Sequence, residues 1–321
     1  MKKSVRQLLV VSFLVIIIVI LTSCVPRPAA GGTPRDTAAI AQQVQSGSEG
    51  LFMQLVQNSP PPVMYDQTEL IAVLDVRNRG NHPLQSHECF IRVAGFDPNI
   101  IRSGFNQPHD CTERLGGTEL EGKNLYNTEG GFNQIEFRSS DVSLPDGVFE
   151  YNPTLDFKAC YHYLTKASPQ VCVDPLFYQV TADQKTCQVR DVGMGGGQGG
   201  PVGVTHVGVD MIGSKAIFEI TVQNLGGGSV ISPTTDILAC NPDYRDLDRV
   251  EYNVELSGAT PVDCKPRDGI IRLSNKMGKI VCTFEVGSST AYETPLKVEL
   301  DYNYLQSLRQ PLRIVKTPGT E

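Results

Sequence analysis

Two stretches of the sequence share an alternating pattern and the same ending. In residues 69–80 (ELIAVLDVRNRG) apolar residues stand at every second position, and the run closes with Asn78-Arg79-Gly80. Residues 216–226 (AIFEITVQNLG) repeat the alternation and the Asn-x-Gly ending, 146 positions further on. Successive side chains of a β-strand point to opposite faces, so each stretch predicts a strand with one buried face. We interpret the Asn and Gly as residues that accept left-handed turn conformations.

A second pair of matching stretches lies near the end of each half. Residues 155–164 (LDFKACYHYL) correspond to residues 296–305 (LKVELDYNYL) at an offset of 141, and each is followed by a polar loop and a short apolar run. Two ordered matches at similar offsets predict tandem copies of a domain of about 130 residues. The other alternating runs are short, and none has a helical period. We therefore predict an all-β chain with two β-sandwich domains, at residues 51–183 and 184–316, followed by a short tail at 317–321.

The N-terminus has the order of an export signal. A basic start with Lys2, Lys3 and Arg6 precedes an apolar run at residues 8–21 and then Leu21-Thr22-Ser23-Cys24. The last four residues resemble the lipobox of prokaryotic lipoproteins, which implies that residues 1–23 are removed and that Cys24 carries a lipid. The alternative is that residues 1–23 remain as a membrane helix, with the N-terminus in the cytoplasm. Both place the rest of the chain outside the cytoplasm.

Residues 24–50 are rich in Pro, Gly, Ala, Ser and Gln, which predicts a flexible tether between the anchor and the first domain. The whole chain has 28 basic and 35 acidic residues and a formal charge of −7. A protein of this charge repels nucleic acid and anionic lipid, so we expect no nucleic-acid partner.

The paired strand-Asn-x-Gly units and the late Tyr-x-Tyr strands resemble CARDB-type immunoglobulin-like domains of prokaryotic surface proteins. The arrangement in two copies is similar to that of archaeal membrane-anchored surface proteins. The resemblance covers roughly residues 51 to 316. It implies an adhesion, spacer or assembly role outside the cell and supplies no catalytic residues. The cysteines are not part of the general family pattern.

Nine cysteines are present, and eight remain if Cys24 is lipidated. An even number suits an exported, disulfide-bonded protein. Four lie in each half, so we predict pairing within each half. Cys160 and Cys172 flank an apparent hairpin and are expected to pair, which leaves Cys89 with Cys111. In the second half three pairings are open, and of these we favour Cys240 with Cys264 and Cys187 with Cys282.

Two motifs suggest metal binding as alternatives. His87-Glu88-Cys89 and His109-Asp110-Cys111 could offer zinc a His2Cys2 set, although an oxidising compartment favours the disulfide. Residues 241–248 (NPDYRDLD) carry three carboxylates and an amide, the ligand chemistry of calcium, but they lack the EF-hand spacing. The default interpretation of this loop is a solvated acidic loop, and we predict no metal and no cofactor.

The sequence shows no catalytic motif around its five histidines, His82, His87, His109, His162 and His206. The glycine-rich stretch 193–201 precedes an apparent strand rather than the helix that a phosphate site needs, so we interpret it as a flexible loop or hinge. We therefore predict a non-enzymatic, membrane-anchored surface protein with an adhesion, spacer or protein-binding role. Its expected partners are the membrane and other surface proteins or copies of itself. The alternatives are a structural subunit of a surface assembly and a solute-binding lipoprotein.

Overall fold

A computed structural model of the chain describes residues 37–113, 115, 119–179 and 185–319. Ala39–Glu321 form one compact unit. Strands dominate the described ranges, and the predicted all-β class is confirmed. Cys24, the apolar run at residues 8–21 and the predicted domain boundary near residue 183 lie outside the described residues. Within the described part, no helix is long and apolar enough to cross a membrane.

The described part of the predicted tether contains helix α1, Thr37–Val44. The strands that follow are β1 Leu51–Leu55, β2 Val63–Tyr65, β3 Leu70–Asn78, β4 Leu84–Gln85, β5 Cys89–Ala94, β6 His109–Asp110, β7 Glu119–Leu120, β8 Phe132–Ser139, β9 Glu150–Tyr151, β10 Thr154–Ala167, β11 Gln170–Val173, β12 Val192–Gly193, β13 Val202–Ile212, β14 Lys215–Asn224, β15 Ser229–Ile231, β16 Arg249–Leu256, β17 Ala259–Lys265, β18 Ile270–Arg272, β19 Met277–Val286, β20 Tyr292–Pro311 and β21 Arg313–Val315.

The two alternating stretches of the sequence form strands β3 and β14. Burial alternates along both strands, as their sequence patterns predict. The buried side chains are those expected to face the core: Leu70, Ala72, Leu74 and Val76 in β3, and Ala216, Phe218, Ile220 and Val222 in β14. These strands lie in the middle of two separate sheets, with the orders β1-β3-β8 and β12-β13-β14-β19-β17.

An eight-stranded sheet combines strands from both halves of the chain, with β18-β16-β20-β10-β5-β6 as its main order. The smaller sheets pair the strands in the orders β2-β21-β9 and β4-β7. The eight-stranded sheet packs against the sheet of the first half, where the rings of Phe137 in β8 and Phe157 in β10 lie 5.5 Å apart between centroids. The buried apolar residues of both halves belong to one hydrophobic cluster.

The two halves meet along one long antiparallel pairing. Strand β10 pairs with β20 over its whole length, from Thr154 opposite Pro311 to Ala167 opposite Val298. Strand β11 continues along the start of β20 in the same register, and β21 pairs with β9 in that register too. The interruptions coincide with Pro153 and Pro169, whose carbonyls still accept hydrogen bonds from the opposite strand at 3.0 and 2.9 Å.

The hairpin expected between Cys160 and Cys172 is therefore absent from the structure. Strands β10 and β11 run in one direction, and each pairs with β20 rather than with the other. The turn-like residues Ser168 and Pro169 only interrupt the pairing, because proline has no backbone N–H to donate to a sheet. The last strand of each half thus pairs with the other half of the chain.

Each Asn-x-Gly unit closes a loop onto a buried tyrosine. In the first half, Asn78 Nδ2 donates to the carbonyl of His82 at 2.7 Å, and Asn78 Oδ1 accepts the Gly80 N–H at 3.1 Å. The His82 N–H donates to the hydroxyl of Tyr163 at 3.2 Å. The loop after β3 is therefore fixed by one asparagine and one tyrosine.

The second half repeats these bonds at equivalent positions. Asn224 Nδ2 donates to the carbonyl of Gly228 at 3.0 Å, and Asn224 Oδ1 accepts the Gly226 N–H at 3.1 Å. The Gly228 N–H donates to the hydroxyl of Tyr304 at 2.8 Å. The correspondence seen in the sequence is thus reproduced in three hydrogen bonds of each half.

The predicted left-handed turn at Asn-x-Gly is wrong. None of Asn78, Gly80, Asn224 and Gly226 has a positive φ. Glycine is required for space instead, because a Cβ at Gly80 would overlap the hydroxyl of Tyr163 and a Cβ at Gly226 would overlap that of Tyr304.

Candidate functional site

All eight cysteines outside the export signal form disulfides in the structure. The predicted pair Cys89–Cys111 is confirmed. The other three bonds join Cys160 to Cys240, Cys172 to Cys187 and Cys264 to Cys282. Four disulfides indicate an oxidising compartment outside the cytoplasm.

The pairing of Cys160 with Cys172 is wrong, as are Cys240 with Cys264 and Cys187 with Cys282. Cys160 and Cys172 lie twelve positions apart on consecutive strands that run in one direction, which separates them by roughly 40 Å at about 3.3 Å per residue. Cys160 instead bonds to Cys240, in the loop between β15 and β16. Arg92 of β5 also holds that loop, through a hydrogen bond from Nη1 to the Ala239 carbonyl at 2.9 Å.

The two metal alternatives find no ligand set in the structure. The sulfur atoms of Cys89 and Cys111 are joined to each other, so neither is a thiolate that could bind zinc. The carboxylates of the acidic loop 241–248 do not converge, and in the described ranges no group of three or more His, Cys, Asp or Glu side chains could hold a metal ion.

The glycine-rich stretch 193–201 leads into strand β13, as the sequence predicts. Its second part is packed rather than open, since residues 198–201 are buried. The Gly47 N–H donates to the Gly196 carbonyl at 2.6 Å, and the Gly199 N–H donates to the Gly47 carbonyl at 2.9 Å. This stretch therefore links the start of one half to the start of the other.

Four buried tyrosines, Tyr161, Tyr163, Tyr302 and Tyr304, occupy the inner face of the central strand pair. In the register, Tyr161 lies opposite Tyr304, and Tyr163 lies opposite Tyr302. Burial raises the pKa of Tyr304 to about 12, and it raises the pKa values of the other three hydroxyls as well. The hydroxyls therefore stay protonated and serve as hydrogen-bond partners of loop backbone rather than as bases.

A cleft of about 580 Å³ lies beside the Asn-x-Gly loop of the first half. It is lined by Asn81, His82 and Pro83 of that loop, by Leu164 and Lys166 of β10, and by Lys123, among others. We name it the lysine cleft. Its volume lies in the range of small-molecule sites.

A second cleft, of about 520 Å³, lies at the corresponding place in the second half. Its wall contains Gly227, Gly228 and Ser229 of the loop and Leu305 and Ser307 of β20. These residues stand at the two repeat offsets, 146 and 141, from their counterparts in the lysine cleft. We name it the glycine cleft. The sequence indicated neither cleft, because each is formed by a loop and a strand distant in the chain.

Side chains differ between the clefts where the backbone corresponds. Ser307 replaces Lys166, and Gly228 replaces His82. The residues of known charge that line the glycine cleft include Glu49 and no lysine or arginine. The two clefts therefore offer opposite electrostatic environments to a ligand.

Comparisons with known proteins leave the family open. No protein-family model matches the chain, and no curated protein matches it. Among solved structures, the chain is similar to the secreted serine protease VesC from Vibrio cholerae, with 12% sequence identity and a TM-score of 0.21. The match covers 86% of this chain and 53% of that protein, so the chain spans about half its length. A TM-score this low does not establish a shared fold, and neither the fold nor the activity of VesC is transferred to this chain.

Proposed function

We propose that this chain is a non-catalytic surface protein, anchored to a prokaryotic membrane through Cys24, which acts as an adhesion, spacer or protein-binding module. In this proposal its two halves are immunoglobulin-like domains of the CARDB type. The matching hydrogen bonds around Tyr163 and Tyr304 support two copies of one domain. The four disulfides support a location outside the cytoplasm.

The observation that carries the proposal is the long pairing between β10 and β20. Two domains joined by a flexible linker change their relative orientation, whereas two domains that share a sheet cannot do so without breaking backbone hydrogen bonds. The chain therefore holds its loops and sheet edges at fixed separations. Fixed separation is what a spacer or a two-sided binding module requires.

The test compares three cell lines: one lacking the protein, one complemented with the wild type, and one complemented with Cys24→Ala. We expect external protease to digest the wild-type protein on intact cells. We also expect attachment to surfaces or neighbouring cells to fall in the deletion strain and to recover only with the wild type. Protection from external protease, or attachment that does not depend on the protein, would overturn the proposal.

A structural subunit of a surface assembly is the second candidate. The exposed side chains Val63 and Tyr65 in β2 favour it, because they form an apolar stretch at the edge of the small sheet β2-β21-β9. Sedimentation velocity over a wide concentration range separates the candidates. Reversible association that Tyr65→Lys abolishes supports the subunit, and a monomer at all concentrations excludes it.

A further inference from the structure

The lysine cleft concentrates positive charge on a chain that is acidic overall. Lys123 and Lys166 both line it, together with Asn81, Asn124 and the ring of His82. Lys123 is half-buried, and its backbone N–H donates to the Gly80 carbonyl at 2.7 Å, which fixes the loop that carries it. In the described part of the chain its ammonium group forms no ion pair. Two amines in one cleft of this size provide an electrostatic site for an anion.

The remaining wall of the lysine cleft is apolar. Leu125, Leu164 and Pro83 line it, as do Ala41 and Val44 from α1. A bare inorganic anion would leave these surfaces in contact with water. A ligand with an apolar body removes them from water and gains free energy in proportion to the area covered.

His82 adds an unpartnered polar atom to the same wall. Its Nε2 is buried and has no hydrogen-bond partner in the structure. Its backbone N–H is already used by Tyr163, so the ring position is fixed by the loop. A buried polar atom without a partner is rare in native proteins, and a ligand group in the cleft would supply the missing partner.

We propose that the lysine cleft binds a small amphiphilic oxyanion, an organic phosphate or carboxylate with a short apolar body, through Lys123 and Lys166. The proposal does not depend on the surface role proposed above. The glycine cleft is its internal comparison, because it has the same backbone construction but Ser307 in place of Lys166 and Gly228 in place of His82.

Glu299 opposes the binding of an anion. It lies opposite Lys166 in the pairing of β10 with β20, and its Oε1 lies 3.1 Å from Lys166 Nζ. Both side chains are largely exposed, at 64% for Lys166 and 42% for Glu299, and exposed ion pairs contribute little to stability. The ligand therefore competes with Glu299 for Lys166, and this competition provides a test with opposite signs.

The experiment is isothermal titration calorimetry of the full-length protein in neutral phosphatidylcholine nanodiscs, with empty nanodiscs as the blank. The probes are hexyl phosphate, inorganic phosphate and hexan-1-ol. We expect one site for hexyl phosphate, with an affinity at least about tenfold higher than for either fragment, because only hexyl phosphate satisfies both walls of the cleft. Equal affinity for hexan-1-ol and hexyl phosphate would overturn the proposal.

Variants test the assigned residues. Lys123→Ala and Lys166→Ala should each weaken hexyl phosphate binding by about tenfold, and Glu299→Gln should strengthen it. Lys166→Ala and Glu299→Gln remove the same ion pair, so a purely structural effect would move both affinities in one direction. Ser307→Ala, the counterpart in the glycine cleft, should leave the affinity unchanged. Affinities that shift together in the Lys166 and Glu299 variants, or that fall with Ser307→Ala, would contradict the assignment.

Discussion

His162 of β10 and Asn303 of β20 lie directly opposite each other, and they are also equivalent positions of the two halves, 141 residues apart. In an antiparallel pair of two equivalent strands, this coincidence occurs only where a local twofold axis crosses the pair. The Tyr-x-Tyr strands of the two halves are thus related by an approximate twofold axis through this point. The strand of each half takes the place beside the other that a neighbouring strand of its own half could have filled.

The side chains at the axis have diverged although the backbone corresponds. His162 Nδ1 lies 3.5 Å from Asp301 Oδ1. Asn303 is buried, and its Nδ2 donates to the carbonyls of Ser232 and Thr235 at 3.1 and 3.0 Å. The same divergence on a common frame separates the lysine cleft from the glycine cleft.

The Tyr304 hydroxyl should contribute measurably to stability. It accepts the Gly228 N–H at 2.8 Å and donates to Asn224 Oδ1 at 3.0 Å. Tyr304→Phe leaves both groups without this partner in a buried place, which should lower the free energy of unfolding by about 1–3 kcal/mol. Urea denaturation of the oxidised protein measures the change. Tyr126→Phe is the control, because Tyr126 is 95% exposed, and equal effects of the two substitutions would contradict the assignment.

Gly50 and Tyr161 should show energetic coupling. A Cβ at Gly50 would lie 2.7 Å from the Tyr161 hydroxyl, and its other nearest atoms belong to the same ring. Gly50→Ala should therefore cost about 1–3 kcal/mol through overpacking, and less in a Tyr161→Phe background, where the hydroxyl is gone. A double-mutant cycle in urea measures this coupling.

Gly227→Ala is the matched control for Gly50→Ala. A Cβ there meets nothing within 4 Å, and φ at Gly227 is not positive. We expect a change within about 0.5 kcal/mol. Strict additivity of Gly50→Ala and Tyr161→Phe would show that the glycine serves another purpose.

His82 should make stability depend on pH in the mildly acidic range. Burial lowers the pKa of its imidazole below the ordinary 6.5, with the positive charges of His162 and Lys166 acting in the same sense and Glu88 against it. A lowered folded-state pKa gives stability that is complete above pH 6.5 and is lost as the pH falls through the lowered value. Burial raises the pKa of the nearby Asp301, which acts in the opposite direction, so the comparison must be between variants.

The measurement is the urea midpoint of the wild type and His82→Gln at several pH values from neutral to mildly acidic. We expect the wild type to lose more stability than His82→Gln on acidification. Asn81→Ala alters the neighbouring residue but keeps the imidazole, and it should retain the wild-type dependence. A His82→Gln variant as sensitive to pH as the wild type would refute the assignment to His82.

The local patterns predicted strands correctly, because alternation reports burial directly, as Leu70 to Val76 and Ala216 to Val222 show. The pattern could not reveal which strand pairs with which. Cys160 and Cys172 flank a turn-like Ser-Pro, which suits a hairpin as well as an interrupted strand, and only the register with β20 distinguishes the two. The same holds for Asn-x-Gly, where the reason for glycine is a tyrosine hydroxyl more than eighty residues away.

The central feature of the structure, the pairing of β10 with β20 across the two halves, determines which cysteines can meet. The most direct measurement is peptide mapping of the unreduced protein by mass spectrometry after digestion under conditions that prevent disulfide exchange. The expected result is Cys89–Cys111, Cys160–Cys240, Cys172–Cys187 and Cys264–Cys282. A Cys160–Cys172 bond would require a hairpin in place of the continuous strand and would contradict the shared sheet.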